Sequence, residues 1–309
     1  MRLTVVFVTG RTDPKLGWVV EDLCEQMREG DSIDLVVIDA MDRKLSKLVD
    51  LKATKTAGKL RRVTVSPPKP TIWQGPSRIT SVDWWAASNA RNTAIALCRT
   101  DYVAFVDDRC RLGPQWLSRV RIAERERDSV IAGSYDKQEG RRITQSDHRR
   151  ALYPDGKRDC GGGWLYGCTF AMPFAWCLEA NGFEEGCDGL SGEDCIFGFN
   201  VANNGHRIDF DPLLYVMQDR PSGQVNKYMR ANKGTPPEDK WRAAVARFGK
   251  RKRTEFTPDL TKLRAELAKG KPFPAIDPKA DYRDWFDGTS IRDLKDGLIC
   301  DTASFTAGF

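Results

Sequence analysis

At 309 residues, with 40% apolar and 30% charged residues, the chain has length for one large domain plus an extension, or for two smaller domains. No run of about 18 apolar residues occurs, so no membrane-spanning helix is expected. The net charge of +6 is uneven: residues 220–271 hold 15 Lys/Arg against 5 Asp/Glu, a field that attracts polyanions unless it is simply a solvated helical face.

Nine cysteines, odd in number and without a C-x-x-C pair, argue against a zinc cluster or a disulfide framework and favour a reducing, cytoplasmic setting. Only two histidines, His148 and His206, leave little room for histidine-based metal or nucleophile chemistry.

In chain order, the opening MRLTVVFVTGRTD reads as a strand, Leu3 to Thr9, and not as a signal peptide. Asp13 is placed to cap the next helix, with Pro14 at its first position. Leu16, Val19, Val20, Leu23 and Met27 supply its apolar stripe. Ile33 to Ile38 forms the second strand and ends at Asp39. This β-α-β opening predicts a parallel sheet with right-handed crossovers, and without G-x-G-x-x-G it does not support a dinucleotide site.

Leu60 to Val65 reads as a third strand. Pro67, Pro68, Pro70 and Pro76 then break up the linker that carries Trp73, before Trp84-Trp85 opens a helix. Aromatics there suit stacking on a sugar or base, or burial against the sheet. The small-residue run Ala90 to Cys98 continues as helix and leads into the strand Tyr102 to Val106. That strand ends in Asp107-Asp108-Arg109, and a helix runs from Pro114 to Glu126. Carboxylates at the carboxyl end of a buried strand are placed for a ligand, although an Asp pair also caps helices.

Val130 to Ser134 is the next strand. The long polar stretch after it carries Arg141, Arg142, Arg149, Arg150, Lys157 and Arg158, which reads as a lid or acceptor-side element hinged at Gly161 to Gly163. Trp164 to Met172 reads as a strand, and Pro173 to Asn181 as a helix closed by Gly182. Gly192-Glu193-Asp194 then opens a helix with Ile196, Phe197, Phe199 and Val201 facing inward; acids are also favoured in a helix's first turn by its dipole. Leu213 to Gln218 is the last strand. Beyond Arg220, helices are expected over Glu238 to Phe248 and Pro258 to Lys269, with Tyr282, Trp285 and Phe286 anchoring the tail.

Ala90-Arg91-Asn92 on a helix, a strand ending in acids, Pro-x-Trp-Leu from Pro114, and Gly-Glu-Asp arrive in an order that resembles GT-A glycosyltransferases, family 2 in particular, over about residues 3–218. The resemblance implies an α/β GT-A fold, a mixed and mostly parallel sheet flanked by helices, in a domain of residues 1–220. A basic, helical C-terminal extension, 221–309, would pack on it. It implies a UDP-sugar donor, with Thr9, Gly10, Arg11 and Asp39 around base and ribose. Arg91, Asn92, Asp107, Asp108 and Arg109 would lie at the nucleobase or diphosphate. Asp194 would be the general base of an inverting transfer, and Glu193 would orient it or bind the acceptor.

The pattern departs from the family at two places. The second acid of the usual Asp-x-Asp triplet is Arg109, and the strand position that often adds a histidine is Gln218. Either Asp107 and Asp108 hold Mn2+ or Mg2+ against the diphosphate, or Arg109 supplies the charge. The cation is favoured, because two bare carboxylates would repel a diphosphate.

Trp84, Trp85, Trp164, Arg149 and Arg150 are the expected acceptor side. The stretch from Trp73 through WWAASNARN to Gly-Glu-Asp is similar to phage-type family 2 sequences, which implies a hydroxymethylated pyrimidine in double-stranded DNA as acceptor. A surface saccharide or a protein is the alternative acceptor. A non-catalytic nucleic-acid or carbohydrate-binding protein with a degenerate core is the alternative class, and a sugar-nucleotide pyrophosphorylase a weaker third. No obligate protein partner is implied.

Overall fold

A computed structural model describes residues 1–68, 87–180, 182–183 and 193–219. Trp73, Trp84, Trp85 and the extension 221–309 with its expected helices lie outside the described residues.

The described chain forms nine strands in one sheet. They are β1 (Arg2–Thr9), β2 (Ser32–Asp39), β3 (Arg62–Ser66), β4 (Tyr102–Asp107), β5 (Cys110–Leu112), β6 (Val130–Glu139), β7 (Arg142–Ser146), β8 (Thr169–Pro173) and β9 (Ile208–Asp219). The helices are α1 (Leu16–Gln26), α2 (Leu51–Ala57), α3 (Ala87–Leu97), α4 (Trp116–Glu126), α5 (His148–Leu152), α6 (Phe174–Glu179) and α7 (Glu193–Asn203).

The sheet order is β3-β2-β1-β4-β8-β6-β9-β5, with β7 paired to β6. The half from β3 to β4 is wholly parallel. Beyond β4 only β6 and β9 run parallel, so the sheet is more evenly mixed than the resemblance implies.

Both faces of the sheet are covered, which is why β1, β2 and β4 read as nearly unbroken apolar runs. Leu3, Val5 and Phe7 pack on Leu16, Val19, Val20 and Leu23 of α1 and on Trp116 and Val120 of α4. Val6 and Val8 pack on the other face with Ala90, Ala94 and Ile95 of α3, Phe174 of α6, and Phe197 and Val201 of α7. Within α7, Ile196 is buried as expected, whereas Phe199 is only half-buried. Gly182, at φ 64, donates its amide to Cys177 O at 2.9 Å and closes the α6 segment.

Three expectations change. Asp13 does not cap α1: Lys15 precedes that helix, and the Asp13 carboxylate instead accepts from Lys15 Nζ at 2.7 Å. The polar stretch after Ser134 is not an unstructured lid, because β6 continues to Glu139, β7 returns beside it and α5 follows. The expected hinge at Gly161 to Gly163 is closely packed at its centre. A Cβ on Gly162 would sit 2.4 Å from Phe199 N, and one on Gly198 would sit 2.1 Å from Gly162 O. The glycines there allow a close, locked backbone approach of α7.

Candidate active site

The parallel strands bring three polar ends to one edge. Thr9 lies opposite Asp39, and Val8 opposite Asp107, so the carboxyl ends of β1, β2 and β4 are level. Because β1 sits between β2 and β4, a crevice opens beyond these ends, the usual ligand position in such sheets.

Asp108 follows β4 and is buried. Thr9 Oγ1 donates to its Oδ2 at 2.7 Å, and Arg11 Nε donates to its Oδ1 at 3.0 Å. The Arg11 amide in turn donates to Thr9 Oγ1 at 3.1 Å, across the buried Gly10. Burial pushes the Asp108 pKa up, and the Arg11 charge and the Thr9 hydroxyl oppose it.

Asp39 does not present an open carboxylate to a ribose. Arg43 Nε donates to its Oδ2 and Arg43 Nη2 to its Oδ1, each at 2.9 Å, and the Arg43 amide adds a third bond at 2.9 Å. Arg43 also donates to the carbonyls of Thr12 and Arg11, each at 2.7 Å. Asp39 is therefore the buried half of a pair with the half-buried Arg43 that pins the loop after β1.

Arg109 is likewise spent on structure. It adopts φ 59, and its guanidinium donates to Asp13 O at 2.7 Å, Asp13 Oδ2 at 3.2 Å, Asp219 O at 3.0 Å and the Asp219 carboxylate. It fastens the loop after β1 to the end of β9, because a buried guanidinium is held where acids and carbonyls surround it. Gln218 is buried opposite Cys110, with Nε2 3.5 Å from the Asp108 carbonyl.

Arg91 is the junction of α3, β4 and α7. Its Nη1 donates to Glu193 Oε1 at 2.6 Å and its Nη2 to Asp107 Oδ1 at 3.1 Å. Burial disfavours its charge, but Glu193, Asp107 and Asp194 together hold its pKa above the ordinary value. Asn92 is engaged by the chain itself. It brackets the Phe183 backbone, accepting from its N–H and donating to its carbonyl, both at 2.8 Å.

Asp194 stands in the first turn of α7. Its Oδ2 accepts from the Gly167 amide at 2.6 Å, and its Oδ1 from the Cys195 amide at 2.8 Å. Burial, then the neighbouring Glu193 charge, push its pKa up to about 6, against the pull of Arg91 and the two amides. A carboxylate so placed is ionised near neutrality yet basic enough to take a proton.

The expected acceptor side divides. Arg149 is fully buried: it pairs with Asp147, donates to Gly133 O at 2.7 Å and to the Trp164 carbonyl, and lies 3.9 Å from the centre of the Tyr166 ring. It holds the Trp164–Tyr166 turn in place, with its guanidinium buried. Arg150 donates to Asp136 at 2.7 Å, beside Tyr215, and keeps some exposure. Trp164 is half-buried against Tyr153 and Phe210. Sequence reasoning missed Gly167 and Tyr166 as supports of Asp194 and Arg149; the only signal was the Tyr-Gly-Cys step ahead of β8.

Among the described residues, no group of three or more His, Cys, Asp or Glu side chains converges as a metal-ligand set. Asp107 already faces Arg91 and Asp108 already faces Arg11. Two carboxylates each paired to a guanidinium do not fit a preformed dication site.

Residues 80–186 match the sequence profile of glycosyl transferase family 2. The fold is similar to that of S. aureus TarS 1-349 in complex with UDP-GlcNAc, at 18% identity and TM-score 0.53, over 80% of this chain and 65% of that one. It is also similar to GalNAc-T7 with UDP, GalNAc and Mn2+, at 14% identity and TM-score 0.56, over 98% of this chain and 57% of that one. The chain thus spans less than two thirds of the length of either. No curated protein matches it. Among the described residues no helix is long and apolar enough to cross a membrane. The fold is thus similar to GT-A proteins, and residues 80–186 are similar to glycosyl transferase family 2.

Proposed function

We propose that the chain transfers a sugar from a nucleoside diphosphate sugar to an acceptor hydroxyl, with inversion, and that Asp194 is its general base. The observation that carries this reading is the raised Asp194 carboxyl, held by the Gly167 amide beside the Arg91–Glu193 pair at the end of β4. Asp194 takes the hydroxyl proton as the acceptor oxygen attacks the anomeric carbon. The bond from that carbon to the diphosphate oxygen breaks on the opposite face, and its electron pair leaves with the diphosphate. Glu193, fixed by Arg91, orients the base. Help of this kind is worth about 10²–10⁴-fold.

A uridine diphosphate donor is supported by the UDP and UDP-GlcNAc held by the similar TarS and GalNAc-T7 structures. For the acceptor we favour a hydroxymethylated pyrimidine in DNA. Its support is the phage-type resemblance together with the basic segment 220–271, whose 15 Lys/Arg suit a polyanion. In this reading residues 1–220 carry the chemistry, and the extension 221–309 contributes to acceptor recognition.

The test is transfer from a panel of nucleotide sugars to hydroxymethylcytosine DNA, unmodified DNA, saccharides and protein. Labelled sugar on hydroxymethylated DNA alone is expected. Transfer to a saccharide or protein instead would keep the enzyme class and overturn the DNA acceptor. No turnover with any donor would favour a binding protein with a degenerate core.

A further inference from the structure

Four arginines stand around the strand ends, and three are committed. Arg43 is spent on Asp39 and two carbonyls, Arg91 on Glu193 and Asp107, and Arg109 on Asp13 and Asp219. Arg11 differs. Only its Nε is engaged, with Asp108 at 3.0 Å, and among the described residues neither terminal amino group has a hydrogen-bond partner. Its side chain is 23% exposed.

The position of Arg11 is fixed from three directions. Its amide donates to Thr9 Oγ1, its carbonyl accepts from Arg43, and its Nε is held by a buried carboxylate. A guanidinium anchored by Nε still presents its amino groups as a fork, the geometry that matches phosphate oxygens. It stands beyond the carboxyl end of β1, at the crevice described above. Meanwhile the neighbouring Arg109 is turned to Asp13 and Asp219.

Resting on the transferase reading, we propose that Arg11 faces the donor diphosphate rather than the base and ribose, and that it, not a divalent cation, neutralises the leaving group. When the anomeric C–O bond breaks, the pair moves onto the diphosphate oxygen, and the growing charge meets the Arg11 amino groups while Asp194 holds the acceptor's proton. Asp108 and Thr9 preorganise the guanidinium, so no reorganisation is needed as charge develops.

The experiment is calorimetric binding of UDP and of uridine to the full chain, in EDTA and with Mn2+, for the native protein, Arg11→Ala and Arg11→Lys. UDP is expected to bind the native protein equally well in EDTA and in Mn2+. Arg11→Ala should weaken UDP about 10- to 100-fold, with Arg11→Lys in between. Uridine affinity should stay unchanged in both variants, which also reports an intact fold. UDP binding that collapses in EDTA, or that survives Arg11→Ala undiminished, would overturn the assignment while leaving the transferase reading in place. Neither UDP binding nor sugar turnover in the native protein would remove both.

Discussion

The Gly167 amide donates to Asp194 Oδ2 at 2.6 Å, which ties the segment before β8 to the first turn of α7 at a single carboxylate. Any Cβ at Gly167 would lie 2.5 Å from Arg91 Nη2 and 3.2 Å from Asp194 Oδ2. Gly167→Ala is therefore expected to displace both groups. Turnover should fall about 100-fold, because misplacement on the order of 1 Å has that effect. Steady-state kinetics beside a thermal melt would check it; unchanged kcat would show that the contact does not position the base.

Asp194→Asn should lower kcat by about 10²–10⁴-fold. In the native protein kcat/KM should fall on the acid side with a midpoint near the raised value of about 6. Stability should move the other way. The folded carboxyl holds its proton up to about 6, against 3.8 ordinarily, so the folded state binds more protons across that window. Native stability therefore falls as pH rises through it. At pH above that window the Asn variant should be the more stable, by about 1–3 kcal/mol, and a melt series against pH would show it.

Arg91→Met removes a buried guanidinium and leaves Glu193 and Asp107 facing each other near Asp194. Breaking a buried pair of this kind costs about 3–5 kcal/mol. Since Arg91 pulls the Asp194 pKa down, its loss should also move the acid limb of any residual activity to higher pH. Chemical denaturation and a pH–rate profile read the two effects separately.

Arg149→Met separates two roles for that residue. As a buried partner of the equally buried Asp147, it should cost about 3–5 kcal/mol when lost. The melting temperature should drop sharply, and KM for the acceptor should hold in the fraction that stays folded. A raised acceptor KM with an unchanged melting temperature would restore the surface role suggested by its sequence neighbourhood.

Much of the sheet was legible because β1, β2 and β4 are buried on both faces and read as apolar runs. Asp107 and Asp194 stand out in the sequence as acids at a strand end and opening an apolar helix, and the structure places both beside Arg91. The β6–β7 hairpin was not. β7 is exposed along its whole length and carries no apolar alternation to reveal it. The arginines were the least legible of all. Arg11, Arg91, Arg109 and Arg149 are alike in sequence, and only the acids that folding brings beside each decide its role. Arg109 finds Asp219, 110 residues away, and Arg149 finds Asp147, two away.

The most direct measurement is sugar release and transfer from UDP-sugars by the native chain and by Asp194→Asn, compared across pH. The account predicts turnover in the native protein with an acid limb near 6, and a loss of about 10²–10⁴-fold in the variant at equal UDP affinity. Native and variant proteins that turn over donor at the same rate would contradict it, because Asp194 would then not be the base.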